Sequence, residues 1–545
     1  MPTVTFPLTY LQRLTTTEPQ RLAQQAFDYG LNATLADQTL EVEVTAERPD
    51  LLAAEGFTRA INIYNGLART VPDQLVSSGR RVTVRPEVQR LRPHIAALIV
   101  RGADLQNGGL EVLVQFQEKV TQTFGRQRRK IAIGVYDLDR ISGDLTYGAE
   151  PLDKLTFVPL HGTEPITARE VLQQHAVGKI YSHTLPKNGH APVLRDAAGT
   201  VLSMPPIINA AGAGKVTDRT RNLFIDVTGI LPQPVLETAN ILAHNFLDTG
   251  AEVQTVEIST PQGTVVTPTL TRRSVPFSAK YLNEIMGTAI PKSGLGNVLS
   301  RMDLDVSGTD LVHVPTYRAD IFSQVDIAGD LLVAIGIANL QAEPLAVKFH
   351  LGKSAPLRQV MFRVSDLAQR MKLTEVKSFV LTDPNSLDLF AAPYVQTGNA
   401  KSRAYSATRT TLQAGLLDIL ARNISAPKPI NIYETGEVLR FKDQNIKESQ
   451  CWGFASLDAR ASFATAKSYM QTMLKALGVS YDLAVCNAPY YITGRAAAVL
   501  VQGQMVGEFG EVHPQVLEHF SFPEPVCTGE LNCTASLVEP SQLQR

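Results

Sequence analysis

The segment 222–228 is predicted to form a β-strand with an aromatic ring, a carboxylic acid and a hydroxyl on one face, because side chains alternate with a period of two. These residues are Phe224, Asp226 and Thr228, and the opposite face carries aliphatic side chains. Such a face could line a pocket for a polar aromatic ligand, whose polar end the acid and the hydroxyl would bind. An ordinary half-exposed strand is the alternative interpretation.

Asp320, Asp326 and Asp330 form an acidic set around a predicted helix. Asp320 is positioned to be the N-cap of this helix, and the other two lie four residues apart on one face. Like charges at that spacing destabilise a helix by ~0.2–0.5 kcal/mol unless something compensates them. A hard cation such as Mg²⁺ could do so, and a solvated acidic face is the alternative.

A basic run at 126–130 follows a helix predicted from Leu110 to Phe124 and precedes a strand predicted at 131–135. Four cations in five residues are typical either of a solvated helix end or of a site for phosphate or an acidic partner.

The segment Gly212-Ala213-Gly214-Lys215 superficially resembles a phosphate-binding loop. That motif requires a glycine where Asn209 lies and a serine or threonine where Val216 lies. We therefore expect a mobile glycine-rich loop there rather than a nucleotide site.

Residues 40–44 alternate as a strand with one buried face. A helix is predicted after it, with Asp50 as N-cap, with Phe57, Ile61 and Tyr64 on one face, and with Gly66 at its C-terminal end.

Composition limits the function classes. The 545 residues include 51 Lys and Arg and 52 Asp and Glu, so the formal net charge is -1, and 44% of the residues are hydrophobic. This excludes an intrinsically disordered chain and predicts several domains with large cores. Near-neutrality also argues against a protein that binds nucleic acid by bulk electrostatics.

The four cysteines, at 451, 486, 527 and 533, form no C-x-x-C pair, so neither a zinc site nor a disulfide framework is expected. The N-terminal residues lack the pattern of a signal peptide, and no stretch approaches the ~18 apolar residues of a membrane span. We expect a soluble, cytoplasmic protein with no membrane partner.

Several segments together resemble one family, the β subunits of phenylalanyl-tRNA synthetases in the shorter form of archaea and eukaryotes. The blocks that carry the resemblance follow the family's order over about residues 1–535: Arg48-Pro49-Asp50-Leu51-Leu52, Gly125–Lys130 with Asp137-Leu138-Asp139, Leu202–Asn209, Thr220-Arg221-Asn222, Asp226-Val227-Thr228-Gly229, Pro315–Ile321, Arg409-Thr410, Gly494–Ala497 and Gly510–Pro514.

The resemblance implies a multidomain α/β and α+β chain. It comprises an N-terminal α/β domain at 1–92, an editing-type domain at 93–262, a small winged-helix-like module at 270–345 and, at 346–545, an antiparallel-sheet domain of class II synthetase type without its active site. It also implies a 2:2 heterotetramer with a catalytic α subunit, which uses ATP to join phenylalanine to its tRNA.

The editing-type domain would hydrolyse mischarged tyrosyl-tRNA. An apolar pocket rejects an isostere that adds one hydroxyl only ~100-fold, so a second site that recognises the hydroxyl is needed. Leu194, Ser203, Asp226 and Thr228 match the positions that the family uses for this pocket. The chain departs from the family after Thr228-Gly229, where Ile230-Leu231 stands in place of Thr-Asp.

In the small module, Asp320, Asp326 and Asp330 match three of the four acidic positions that bind magnesium in the family, and Gly329 replaces the fourth. These departures keep a second hypothesis open, an assembly or regulatory subunit or paralogue that has lost editing. A free-standing hydrolase that acts without a partner is the third.

Overall fold

The computed structural model describes residues 2–67, 69, 74–308, 310–342, 344, 349, 351–442 and 445–534. The chain divides into two units, 1–344 and 345–545. The mixed α/β, multidomain class predicted from the sequence is confirmed at this level, and the finer division of the first unit into three domains stays a prediction.

The first unit begins with a small antiparallel sheet of order β1-β3-β2, covered by helices. Its elements are β1 (Thr3–Pro7), α1 (Leu8–Leu14), α2 (Pro19–Asp28), β2 (Asn32–Ala36), β3 (Thr39–Glu43) and α3 (Ala54–Tyr64). The predicted strand and helix are present, but Asp50 is not the N-cap. It lies in a 3₁₀ turn at Pro49–Leu52, where both its oxygens accept hydrogen bonds from Arg48 at 2.9 Å.

A ten-stranded mixed sheet dominates the first unit, with the order β12-β11-β10-β7-β4-β14-β5-β13-β6 and β15 on β14. The elements of this region are β4 (Val76–Val84), β5 (His94–Arg101), α4 (Gly109–Gln122), β6 (Ile131–Asp137), β7 (Leu145–Pro151), β8 (Thr156–Phe157), β9 (Ile166–Thr167), α5 (Ala168–Gln174), α6 (Ala176–Tyr181), β10 (His190–Arg195), β11 (Val201–Met204), β12 (Ile208–Asn209), α7 (Ala211–Gly214), β13 (Leu223–Gly229), α8 (Pro232–Asp248), β14 (Glu252–Thr260) and β15 (Gly263–Thr267).

Strand β13 lies between β5 and β6, and every one of its residues is buried. The predicted alternation is confirmed, because its aliphatic face and Phe224 belong to two different hydrophobic clusters. The half-exposed alternative is wrong, since both faces of this strand are covered.

The last part of the first unit is a three-stranded sheet of order β16-β18-β17 with helices packed on it. Its elements are β16 (Arg273–Pro276), α9 (Ala279–Met286), α10 (Lys292–Leu299), β17 (Asp305–Ser307), β18 (Leu311–Val314) and α11 (Gln324–Ile335). The acidic helix is present as α11, but its N-cap is Ser323 and not Asp320, and Asp326 completes a capping box with Ser323.

The second unit is built on a sheet of order β19-β22-β23-β27-β26-β25-β24, antiparallel except between β19 and β22. Its elements are α12 (Pro356–Arg370), β19 (Thr374–Glu375), β20 (Leu381–Thr382), α13 (Pro384–Asp388), β21 (Ala407–Thr408), α14 (Gln413–Arg422), β22 (Ile430–Lys442), β23 (Asn445–Leu457), α15 (Phe463–Leu477), β24 (Asp482–Val485), β25 (Tyr491–Val501), β26 (Gln504–Val512), α16 (Pro514–His519) and β27 (Val526–Asn532).

All four cysteines are free and buried in the second unit. None of the helices that the structure describes is long and apolar enough to cross a membrane.

Candidate functional site

A cavity of about 430 Å³ opens beside the edge strand β6 of the large sheet, between that strand, helix α4 and the segments that flank β12. Three of the sequence-predicted residues, Ser203, Asp226 and Thr228, line it. The fourth, Leu194, lies outside the lining, in the hydrophobic cluster behind these residues, together with Phe224. The structure therefore brings the polar members of the predicted set together and places Leu194 behind them.

Strand pairing fixes the positions of these groups. Asp226 pairs with Gly134 on the β6 side and with Ala97 on the β5 side, while Ser203 lies opposite Leu194 on β10. Because the strands are held in register by backbone hydrogen bonds on both sides, the polar side chains are presented from rigid elements rather than from loops.

A residue that sequence reasoning missed, Tyr136, connects these groups. Its hydroxyl oxygen lies 2.6 Å from Asp226 Oδ1 and 2.8 Å from Ser203 Oγ. A phenol has one proton, so it donates to the carboxylate and accepts from the serine hydroxyl. Tyr136 lies two residues after Gly134 on β6, the strand that pairs with the strand of Asp226. The sequence pattern alone does not show which strands are neighbours, so it could not connect Tyr136 with Asp226.

Gly134 allows the Tyr136 hydroxyl to approach the Asp226 carboxylate. A Cβ at that position would overlap both the Tyr136 hydroxyl and Asp226 Oδ1. The glycine thus leaves the space in which the phenol and the carboxylate reach each other across the strand.

The Asp226 carboxyl is 1% exposed, and Tyr136 is its hydrogen-bond partner within the described part of the chain. Burial raises its pKa from 3.8 to about 7, against the opposing effects of the Tyr136 hydrogen bond and the charge of Arg92. This carboxyl therefore exchanges its proton near neutral pH, although an ordinary aspartate is fully ionised there.

Thr228 is held by Arg92, a second residue that the sequence did not indicate. Arg92 Nε donates to Thr228 Oγ1 at 3.0 Å and Nη2 donates to the Thr228 carbonyl at 2.7 Å. Burial lowers the pKa of Arg92 to about 10, which leaves it charged at neutral pH. The cavity therefore has a positive charge behind its hydroxyl group.

The basic run does not form a helix end. Arg126, Gln127 and Arg128 all have positive φ values, of 48°, 55° and 62°, in a left-handed turn after α4. Arg128 points inward: it donates to the carbonyl of Ile207 at 2.8 Å and lies 4.1 Å over the Tyr181 ring. The solvated-helix-end interpretation is wrong for this half-buried arginine, and the exposed cations of the run are Arg126 and Arg129.

The glycine-rich segment forms the short helix α7 and not an open loop. Gly214, Lys215 and Val216 line the cavity, so the segment supplies a cation to the mouth of the predicted site. The expectation of a glycine-rich loop is therefore wrong at 211–214.

The acidic set at 320–330 does not fit a magnesium ion. The Arg318 guanidinium donates to both oxygens of Asp320, at 2.8 and 2.7 Å, and to Asp330 Oδ1 at 2.9 Å. Although burial acts to raise it, Arg318 lowers the pKa of Asp320 to about 2. Asp326 faces elsewhere and accepts from the amides of the helix start.

The Arg318 guanidinium thus already lies between Asp320 and Asp330, where a metal ion was predicted. Within the described ranges, no group of three or more His, Cys, Asp or Glu side chains is arranged to hold a metal ion. Gly329 faces open space, so the missing carboxylate is not replaced by a neighbour.

A second cavity, of about 240 Å³, lies on the sheet of the second unit. Glu508 and Glu530 line it, and Arg440 pairs with Glu530. Burial raises the pKa of Glu508, whose Oε1 accepts a hydrogen bond from Tyr490. The lining of this cavity therefore includes two carboxyls and one guanidinium.

Comparison with known proteins gives a consistent result. Residues 342–533 match the model of the phenylalanyl tRNA synthetase beta chain CLM domain, and residues 275–337 match that of the tRNA synthetase B5 domain. The chain is 32% identical over 500 residues to the phenylalanine–tRNA ligase beta subunit of Pyrococcus furiosus, with 89% of each chain covered. It is 30% identical to that of Archaeoglobus fulgidus, with 98% of each covered.

Among solved structures, the chain is similar to an N-terminal fragment of the phenylalanyl-tRNA synthetase beta subunit of Pyrococcus horikoshii. The TM-score is 0.58 at 29% identity, and the match covers 61% of this chain and 99% of the fragment.

Proposed function

The chain belongs to the family of phenylalanyl-tRNA synthetase β subunits, and from this premise we propose that it supports a catalytic α partner that attaches phenylalanine to its tRNA with ATP. We further propose that its own cavity beside β6 hydrolyses mischarged tyrosyl-tRNA. Its assembly would be a 2:2 heterotetramer in the cytoplasm, and exposed cations such as Arg126 and Arg129 would contribute local contacts to the tRNA.

We assign ATP use and amino-acid activation to the α partner, and a supporting role to the second unit, whose residues 342–533 match the CLM domain model of the family's beta chain. We include no magnesium at 320–330, because Arg318 already pairs with Asp320 and Asp330, while Asp326 caps the start of its own helix.

The observation that carries the hydrolytic proposal is the meeting of Ser203, Asp226 and Thr228 at one cavity. Its volume of about 430 Å³ is in the range of small-ligand pockets, ~300–1000 Å³. A buried carboxyl with a pKa near 7 is a strong acceptor for a phenol, and a site that binds a substrate hydroxyl rejects an analogue that lacks it.

The reaction is the hydrolysis of an ester. A water oxygen bonds to the carbonyl carbon of the tyrosyl ester and the bond from that carbon to the ribose oxygen breaks. One water proton passes to the ribose oxygen, so that the tRNA leaves with a free hydroxyl, and the other is lost when the carboxylic acid of the released tyrosine ionises. The chain's contribution would be to hold the phenol end and so to place the ester beside the attacking water.

The test is tyrosyl-tRNA deacylation by the complex of this chain with an α subunit, and by the chain alone. We expect Asp226→Ala to lose about 10-fold or more of the activity, as removal of a charged hydrogen-bond partner does. Asp196→Ala is the matched control, since that carboxyl is 6% exposed, accepts from backbone amides and lies outside the cavity lining.

A second candidate function, an assembly or regulatory subunit without editing, is favoured by two observations. Tyr136 already engages Asp226 and Ser203, and Ile230 and Leu231 are about half exposed, at 47% and 48%. A complex that aminoacylates but does not deacylate would support this candidate. Full deacylation by the chain without any α subunit would instead support a free-standing hydrolase.

A further inference from the structure

The side chain of Tyr136 is itself the kind of group that the cavity is proposed to recognise. Its phenol is fully buried, donates to Asp226 Oδ1 at 2.6 Å and accepts from Ser203 Oγ at 2.8 Å. These are two of the three polar side chains that the proposed function assigns to the hydroxyl of a tyrosyl substrate.

Resting on that proposed function, we propose that Tyr136 is a resident phenol that competes with the substrate's phenol for Asp226 and Ser203. It is thereby a specificity-determining residue that lowers the selectivity of this chain for tyrosyl over phenylalanyl esters. A substrate phenol would have to use the remaining acceptor capacity of Asp226 or displace the resident hydroxyl.

The packing holds the resident phenol in place. The Tyr136 ring lies against Phe224, with ring centroids 5.9 Å apart, in a buried hydrophobic cluster, and the residue also lines the cavity. The absence of a side chain at Gly134 leaves room for the hydroxyl next to the carboxylate. Displacement of the phenol would therefore separate a buried aromatic pair.

Removal of one oxygen should release the competition without opening the core. In Tyr136→Phe the ring still fills its space, while Asp226 and Ser203 become available to a phenol that enters from the cavity. A hydrogen bond to a charged group changes affinity by about 10-fold or more, so the ratio of tyrosyl to phenylalanyl turnover should rise by about that factor.

The experiment measures deacylation of tyrosyl-tRNA and phenylalanyl-tRNA by the complex with the α partner, in wild type, Tyr136→Phe and Tyr147→Phe. Tyr147 is the matched control, because it is equally buried in the same cluster and its hydroxyl donates to the Arg92 carbonyl at 2.8 Å. We expect the selectivity ratio to rise about 10-fold in Tyr136→Phe and to stay within about 2-fold in the control. A merely structural role of Tyr136 would lower both rates together and leave the ratio unchanged.

An unchanged or lower ratio in Tyr136→Phe would overturn the inference. If no variant deacylates either substrate, the proposed function has failed, and the inference is decided by binding of L-tyrosinamide against L-phenylalaninamide, which needs no hydrolysis. We expect Tyr136→Phe to prefer tyrosinamide about 10-fold more than wild type does, and equal preference would overturn the inference. Tyr136→Met, with an adaptable side chain of similar reach, serves for the same comparison if the first variant does not fold.

Discussion

Replacement of Asp226 by asparagine should make the stability of the first unit less dependent on pH. The carboxyl has a pKa of about 7 in the folded chain against an ordinary value of 3.8, because burial disfavours its charge. Asparagine keeps an oxygen that can accept from Tyr136 but carries no charge at any pH. The comparison therefore isolates the free energy of placing the charge in this cavity.

The sign follows from the raised pKa. Between about pH 4 and pH 7 the folded chain binds a proton at Asp226 that the unfolded chain has released, so stability is greatest below that range and falls as the pH rises through 7. A shift of about 3 pKa units corresponds to ~4 kcal/mol, as an order of magnitude. The free energy of unfolding of Asp226→Asn should therefore gain ~3 kcal/mol relative to wild type between pH 5 and pH 8.

The stability measurement must distinguish the first unit, which contains Asp226, from the second unit. The single tryptophan, Trp452, lies on β23 of the second unit, so its fluorescence is an internal control that Asp226→Asn should not change. Amide hydrogen exchange of a peptide that covers β13, corrected for the intrinsic rate at each pH, measures opening at the site. If the free energy of opening differed between variant and wild type by the same amount at pH 5 and at pH 8, the argument would be refuted, since Asp226 would then not be desolvated.

Three further outcomes follow from packing and charge. Gly134→Ala places a Cβ against the Tyr136–Asp226 pair, so it should abolish tyrosyl-tRNA deacylation and lower the free energy of unfolding by ~1–3 kcal/mol. Gly212→Ala is the control: it has open space around it and should change neither deacylation nor stability. Arg318→Met removes the partner of Asp330 and the nearer partner of Asp320, and it should lower the free energy of unfolding by ~3–5 kcal/mol. Mg²⁺ or a chelator should leave wild-type thermal unfolding unchanged. In the second unit Arg409 forms a buried ion pair with Glu434, so Arg409→Met should cost a similar ~3–5 kcal/mol. Arg422 pairs with Asp418 at the surface, so Arg422→Met should cost ~1 kcal/mol or less, and equal costs would contradict the assigned burial.

The strand that carries the candidate site could be predicted because its pattern is local. Alternation over 222–228 fixed which side chains share a face, and the resemblance added Ser203 from another strand. Burial of both faces could not be predicted from this pattern, because it depends on β5, β6 and α8, which are distant in sequence.

Tyr136 and Arg92 were missed for the same physical reason. Their partners lie 90 and 136 residues away, and neither residue has a local motif. The predicted magnesium site at 320–330 does not fit the structure for the opposite reason, because there the local pattern misled. The spacing of the acidic residues suggested a shared cation, but Arg318, two residues before Asp320, already pairs with that carboxylate. Asp50 likewise pairs with nearby Arg48 instead of capping a helix.

The most direct test of the central claim is the rate of tyrosyl-tRNA deacylation by the purified complex of this chain with its α partner, compared with that of the Asp226→Ala complex. We predict deacylation by the wild-type complex and a loss of about 10-fold or more in the variant, with aminoacylation by the partner unaffected. Equal deacylation rates in the two complexes, or none in either, would contradict the assignment of the cavity beside β6 as a hydrolytic site.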